Sequence, residues 1–503
     1  MSLLDALLLE PSPFDVWIAY RTDAIKGCGT ANDPYNGAPI FAASFTISGL
    51  VNTGGVGTRE AVATTSAAHG YSNGDVVTIT GVGGAGTDRW NGTFVIYESS
   101  GTQFKYFMAD TPAADAGTPG TVNKVLGYRF DDIMNGLSAK VRVHLGPTPV
   151  GLPFLTQGYA DGVSGGWQPK VGTKIMGSGL DVTVLRLVAS ASAGAQFYAV
   201  GHSLTTGSPA VPNPLDFVEV ADLTIDCNQM IPSGTAVACG AIRLMGSHSK
   251  MHRVKVINWG TNGTSPACYV MAVITGDRSA GLTEIYNCGI ENCIAVQPAK
   301  SPDGAPVTVF HAGGLESAAS LAEAYGRSPY IRNCSLDGVS PGAYGELRAL
   351  SMSWCRGGVV EGNHIHNVTY GGPYQDKTSV YDLVVRNNYY RNVKKGPFWN
   401  LGVQNSPSAT NLSSLVRDSG EPTIAVATSS TDLGLQVAER VKMGVSAGPA
   451  QYTGVFVVKE VIPASKQFKY QMVSDPGSGS VTNPTVQKVF GANSGCRNQR
   501  SGA

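Results

Sequence analysis

Between residues 220 and 393 the chain repeats a nine-residue frame that is apolar at positions one, six and nine. Ile331-Arg-Asn-Cys-Ser-Leu-Asp-Gly-Val339 aligns with Val360-Glu-Gly-Asn-His-Ile-His-Asn-Val368 and with Val385-Arg-Asn-Asn-Tyr-Tyr-Arg-Asn-Val393. Ile285-Tyr-Asn-Cys-Gly-Ile-Glu-Asn-Cys293 fits the same frame, and looser copies start at Val220 and Met251. Asn or Cys recurs at position four, and Asn or Gly at position eight. The starts lie 31, 34, 46, 29 and 25 residues apart, the unit length of a stacked repeat. If each copy is one coil of a solenoid, equivalent positions stack at about 4.8 Å with the apolar ones inside. Stacked asparagines at a bend then bond each other and the backbone groups that a sharp corner would orphan. Unequal spacing means loops of unequal length, and the 46-residue gap predicts a further coil around residues 307–310.

A second repetition brackets the first. Val76-Val-Thr-Ile-Thr80, Trp90-Asn-Gly-Thr-Phe-Val-Ile-Tyr97, Gln103-Phe-Lys-Tyr106 and Val122-Asn-Lys-Val125 return in the same order. Their counterparts are Arg440-Val-Lys-Met-Gly444, Tyr452-Thr-Gly-Val-Phe-Val-Val458, Gln467-Phe-Lys-Tyr470 and Val486-Gln-Lys-Val489. The Gln-Phe-Lys-Tyr blocks lie 364 residues apart and the Gly-x-Phe blocks 362, so one loop is two residues longer in the second copy. Every block alternates apolar and polar residues, which predicts a compact antiparallel module of about five short strands.

Composition agrees with an all-β chain. Glycine is 63 of 503 residues and only 14% are charged, which suits tight turns better than helices. Lys plus Arg equals Asp plus Glu at 36 each, so binding to nucleic acid by counterion release is excluded. No apolar run reaches the length of a membrane span. The apolar start carries Asp5 and Glu10 and no basic segment, so no secretory signal is expected, and synthesis in a cytoplasm is. The nine cysteines form no CxxC pair and read as buried free thiols.

The repeats resemble the right-handed parallel β-helix of pectate-lyase-like proteins. Phe130-Asp-Asp-Ile-Met134 followed by Val141-Arg-Val-His-Leu-Gly-Pro147 resembles the short opening helix and first strand of that fold, and Lys174-Ile-Met-Gly-Ser-Gly179 an early coil. The duplicated blocks resemble small β domains of bacteriophage tail proteins. Asp75-Val-Val-Thr-Ile79, Trp90-Asn-Gly-Thr-Phe94 and Phe104-Lys-Tyr106 match their pattern, while the second copy lacks the Asp and the Asn before Gly454. Together these resemblances imply a tailspike or tail fibre in the virion, a homotrimer that contacts other tail proteins and the host surface.

The expected organisation is an N-terminal segment (1–57, a cap or anchor), a first module (58–126), the β-helix (127–400), a linker (401–420), a second module (421–490) and a tail (491–503). Gly81-Val-Gly-Gly-Ala-Gly86 matches a dinucleotide fingerprint but leads into a strand instead of a helix, so it reads as a hairpin loop. Three G-x-S-x-G matches, at Ser72, Ser164 and Ser340, lack the strand-to-helix setting of a nucleophile elbow. His364 and His366 could share a metal, but no third ligand has a clear spacing.

Position seven holds Asp226, Ile257, Glu291, Asp337, His366 and Arg391, and position two adds Arg332, Glu361 and Arg386. Position six is apolar, so position seven faces outward and stacking makes it a polar column. Glycoside hydrolysis needs two carboxyls, which makes Asp337 with Glu291 or Glu361 the candidate pair. A lyase would instead use Arg391 or Arg386 as base beside carboxylate-bound calcium. Without such activity no cofactor is expected. Trp354, Tyr374, Tyr389 and Trp399 crowd the last coils and could stack on sugar rings or close the end of the solenoid. Three functions follow: a tail appendage touching host polysaccharide or bracing the tail, a polysaccharide lyase or hydrolase, or a purely structural virion or surface protein.

Overall fold

The computed structural model describes the chain except residues 1–13, 24, 54–58, 85–88, 109–111, 113–115, 161–165, 189–194, 204, 207–210, 229–236, 262–267, 278–284, 297, 299–306, 316–325, 339–346, 354, 376–379, 396–398, 401–409, 432, 434, 436, 438–439, 478 and 490–503. The N-terminal amphipathic stretch and the tail therefore lie outside the described residues.

The repeats build a parallel β-helix. Its first sheet stacks Phe14–Ala19, Val141–Leu145, Lys174–Met176, Glu219–Asp226, Lys250–Ile257, Gly289–Glu291, Tyr330–Arg332, Val359–Glu361 and Val384–Arg386, all parallel. A second sheet runs through Ile294–Ala295, Ser335–Asp337, His364–Tyr370 and Tyr389–Lys395. A third runs from Gln196–Gly201 through Ala238–Met245, Cys268–Asp277, Val307–Leu315 and Leu347–Ser353 to Trp399–Asn400. A short fourth ladder links Ile285–Tyr286, Gly326–Arg327, Cys355–Arg356 and Val380–Tyr381.

The register places frame position one inside. Val220, Met251, Ile290, Ile331 and Val360 are stacked and buried, and so are Ile225, Val256, Ala295, Leu336 and Ile365 at position six. Each Val, Ile, Leu or Met among them contributes about 1.5–3 kcal/mol relative to exposure. The first and second sheets meet at position three, where Asp222, Arg253, Asn292, Asn333, Gly362 and Asn387 all take φ between 49° and 66°. Asn, Asp and Gly dominate that column because they tolerate left-handed backbone. Seven of the eight described cysteines are buried and unpaired, and Cys28 is exposed.

Two readings are corrected here. Ile290, not Ile285, pairs with Ile331, so the fourth copy sits five residues later than its sequence alignment placed it. Val307–Leu315 is the third side of that same rung, between Cys268–Asp277 and Leu347–Ser353, and no additional coil is needed.

The helix Arg129–Gly136 packs on the β-helix, with Phe130 and Met134 in the same core as Trp167. The first module is a strand path from Gly92–Val95 through Val76–Thr80, Thr121–Gly127, Phe45–Asn52, Glu60–Thr65 and Gln103–Phe107 to Glu98–Ser100. The second is a closed six-stranded barrel that begins at Thr410–Arg417. Two boundaries therefore move. Phe45–Asn52 pairs with Glu60–Thr65 inside the module, and Phe14–Ala19 pairs with Val141–Leu145 of the β-helix, so residues 1–57 are not one segment. Thr410–Arg417 pairs with Ile424–Ser429, so the linker read over 401–420 ends in a strand. The duplication extends to detail. Both copies carry a bulge, between Ile47 and Gly49 and between Leu412 and Ser414. Ser48 Oγ donates to Thr64 O at 3.1 Å and Ser413 Oγ to Thr428 O at 3.0 Å.

Candidate functional site

The outward column of the second sheet decides what this face can do. With the corrected register, position seven reads Asp226, Ile257, Val296, Asp337, His366 and Arg391. Val296 stands where Glu291 was expected. Glu291 belongs to position two, in register with His252 and Arg332.

The two ends of the column differ. Asp226 is buried and satisfied: Arg186 Nε lies at 2.8 Å, and Asn258 Nδ2 and the Asn228 N–H donate at 2.9 and 3.0 Å. The first module covers this end, since Arg186 Nη1 donates to Thr93 Oγ1 at 3.3 Å and Asn228 Nδ2 to Thr93 O at 3.0 Å. At the other end Asp337, His366 and Arg391 line an open cavity of about 450 Å³ together with Asn367 and Asn392. Asn392 Nδ2 donates to Asn367 Oδ1 at 2.7 Å, and Asn367 Nδ2 donates to Asp337 Oδ1 at 2.8 Å. This chain holds the Asp337 carboxylate at the rim. His366 Nε2 is buried without a hydrogen-bond partner, and its ring meets Tyr389 edge-on at 5.7 Å. Asn367 and Asn392 were not singled out in the sequence, although the recurrence of Asn at position eight was the signal that marks them.

Glu361 is elsewhere. It stands at position two of the first sheet, between Arg332 Nε at 3.0 Å and Arg386 Nε at 2.6 Å. The left-handed corner at position three turns this face away from position seven, and neither Glu361 nor Glu291 lines the cavity. The expected pairing of Asp337 with Glu361 or Glu291 is therefore not assembled. Asp337 is the one carboxylate among the described residues lining the cavity, with Arg391 two rungs along. Among the described residues no group of three or more His, Cys, Asp or Glu gathers to hold a metal. Of the expected glycan-stacking aromatics, Tyr389 is half-exposed and lies 5.8 Å from His364. The Tyr374 and Trp399 backbones pair in parallel, and Trp354 lies outside the described residues. Among the described residues no helix is long and apolar enough to cross a membrane.

No family profile and no curated protein matches the sequence. Solved structures with similar strand stacking include the A-module of a mannuronan C-5 epimerase from Azotobacter vinelandii, at 13% identity over 53% of this chain and 72% of that one, TM-score 0.27. A tailspike protein of Pseudomonas phage LKA1 is 11% identical over 90% of this chain and 82% of that one, TM-score 0.22. A tailspike of Acinetobacter baumannii bacteriophage Fri1, a capsular polysaccharide depolymerase, is 11% identical over 71% and 81%, TM-score 0.18. The parallel register of the sheets is what defines the present chain: an all-β parallel β-helix carrying two copies of a small antiparallel module.

Proposed function

We propose that the chain is a bacteriophage tail appendage that binds host-surface polysaccharide in the groove of Asp337, His366, Asn367, Arg391 and Asn392. The observation that carries this reading is the groove itself. It is open, lateral and lined by hydrogen-bonding side chains from successive rungs. Donors and acceptors repeated at the strand spacing of about 4.8 Å suit the repeated hydroxyls of a polysaccharide laid along the solenoid axis. The half-exposed Tyr389 ring beside His366 adds an apolar face for a sugar ring. The pairing of β-helix with two tail-type modules supports the virion assignment, and a homotrimer made in the host cytoplasm is the expected assembly.

Binding is favoured over hydrolysis because Asp337 is the one carboxyl among the described residues of the groove, whereas glycoside hydrolysis uses two. The test is to incubate the purified protein with surface polysaccharide from candidate hosts and to measure both retention and released reducing or unsaturated ends. Retention without release, lost in Arg391→Ala, is the expected result. Release of ends would establish the enzyme, and retention unchanged in Arg391→Ala would remove the site. Light scattering of the purified chain at three times the monomer mass checks the trimer.

A further inference from the structure

On the first sheet, among residues that do not line the Asp337 groove, a column at the residue before frame position one reads Lys174, Glu219, Lys250, Gly289 and Tyr330. Glu219 is nearly buried, and three basic side chains converge on it. His252 Nε2 lies 2.5 Å from Oε1, Lys250 Nζ 3.5 Å from Oε1 and Lys174 Nζ 3.7 Å from Oε2. Burial alone would raise this carboxyl. The His252 hydrogen bond and the charges of Lys250, His252 and Lys174 outweigh it and bring Glu219 down to about 2. One carboxylate therefore draws two ammonium groups and an imidazole to one place.

This basic cluster lines an opening. A cavity of about 260 Å³ is lined by Lys174, Lys250, His248 and Asn287 together with Phe217, Glu219 and Tyr330. Phe217 stacks on His248 at 5.1 Å and fixes its ring, and both residues occupy left-handed corners. The Tyr330 ring lies flat over Gly289, where a Cβ would stand 2.4 Å from it. The cavity thus has an ammonium pair on one wall, an imidazole and an amide on another, and an aromatic floor.

We infer that this cavity is a binding site for an oxyanion, a carboxylate or phosphate group, seated between Lys174, Lys250, His248 and Asn287. An acidic sugar and a free or esterified phosphate present the same chemistry to these donors. The site stands on its own residues and does not depend on the reading of the Asp337 groove.

Calorimetric titration of the full chain with inorganic phosphate, with sodium glucuronate and with glucose as neutral control tests the assignment. Saturable binding of phosphate or glucuronate, absent for glucose, is expected. Preference for glucuronate identifies a sugar carboxylate as the source and preference for phosphate a phosphate group. Lys250→Met is expected to weaken binding by about 3- to 10-fold, as for loss of one partly screened charge contact, and Lys250→Arg to retain it. His248→Gln, with an unchanged charge on both lysines, provides a second reading if Lys250→Met does not fold. No saturable binding of either anion, equal binding of glucose, or unchanged affinity in Lys250→Met and His248→Gln overturns the site.

Discussion

Asn363 lies one rung from Asn388, and its Nδ2 donates to Asn388 Oδ1 at 2.9 Å. The same Nδ2 donates to Ile331 O at 3.1 Å, and Oδ1 accepts the Cys334 N–H at 2.9 Å. The residue is fully buried, so its removal strands backbone groups where water does not reach. Asn363→Ala is expected to cost about 2–4 kcal/mol, read from the denaturant midpoint of the β-helix transition. Asn363→Cys, which restores the residue found at Cys293 and Cys334, is expected to cost less. Equal midpoints for wild type and Asn363→Ala would show that the ladder carries no stability.

The Arg186–Asp226 pair joins the β-helix to the first module through Thr93. Removing the guanidinium leaves a buried carboxylate with a net charge, and Arg186→Met should cost about 3–5 kcal/mol. Adding Asp226→Asn should recover much of this, because the uncompensated charge is gone. Proteolysis should also cut the module's connections faster in Arg186→Met than in the double variant. A double variant as unstable as the single one would place the loss in packing, not charge.

Asp131 and Glu219 titrate in opposite senses. Burial pushes Asp131 up to about 7, against hydrogen bonds from the Thr156 side chain and the Gln157 N–H. The folded state then holds a proton that the unfolded state has released, so this group's contribution to stability falls as pH rises from about 4 to about 7. Asp131→Asn should abolish that slope, worth about 2–4 kcal/mol over the window. Glu219 at about 2 acts the other way: its stabilisation is present above about 4.5 and is lost as pH falls toward 2. Melting curves of wild type, Asp131→Asn and Glu219→Gln between pH 3 and 8 separate the two. Parallel pH profiles for wild type and Asp131→Asn would refute the raised value.

What the sequence made legible follows from how a solenoid stacks. Columns at positions one, six and seven were readable because each rung repeats the same inward–outward choice. The misplaced Glu291 has a local cause. Ile285-Tyr-Asn-Cys288 and Ile290-Glu-Asn-Cys293 are the same four-residue pattern twice within one rung, each with a left-handed Asn and a buried Cys. Only the hydrogen-bond register tells which one faces Ile331. The linker was misread because Leu412-Ser-Ser-Leu415 looks like flexible composition, whereas it is a bulged strand with buried Leu412 and Leu415. The match of Ile47-Ser-Gly-Leu-Val51 with Leu412-Ser-Ser-Leu-Val416 would have exposed both missing module strands. Which polar columns share a cavity was not readable, because that depends on the corner between sheets.

The duplicated modules share one conformational requirement. Gly92 and Gly454 have φ of 155° and 145°, and a Cβ there would stand 3.0 Å from the Phe94 ring and 3.3 Å from the Phe456 ring. Those rings lie 4.3 and 4.5 Å from Tyr106 and Tyr470 in each module core. Gly92→Ala and Gly454→Ala are each expected to cost about 1–3 kcal/mol, with the tighter Gly92 site the more sensitive. Thermal melting of the two variants checks this, and a neutral result at Gly92 would contradict the packing described.

Asp337 and Glu361 are the carboxylates that the sequence pairs and the fold separates, which makes their contrast the sharpest test of the groove. Asp337→Asn keeps the side-chain shape but removes the charge that accepts from Asn367 Nδ2 and faces the cavity. Polysaccharide retention should fall about 10-fold or more, as for loss of a charged hydrogen-bond acceptor. Glu361→Gln breaks ion pairs with Arg332 and Arg386, whose side chains are 38% and 50% exposed, on the neighbouring face. Exposed pairs of this kind contribute about 0–1 kcal/mol, so a small loss of stability and wild-type retention are expected. Retention assays on both variants at matched folded fraction decide the matter. Loss in Glu361→Gln with full retention in Asp337→Asn would move the binding surface to the first sheet, because Glu361 stands there and does not line the cavity.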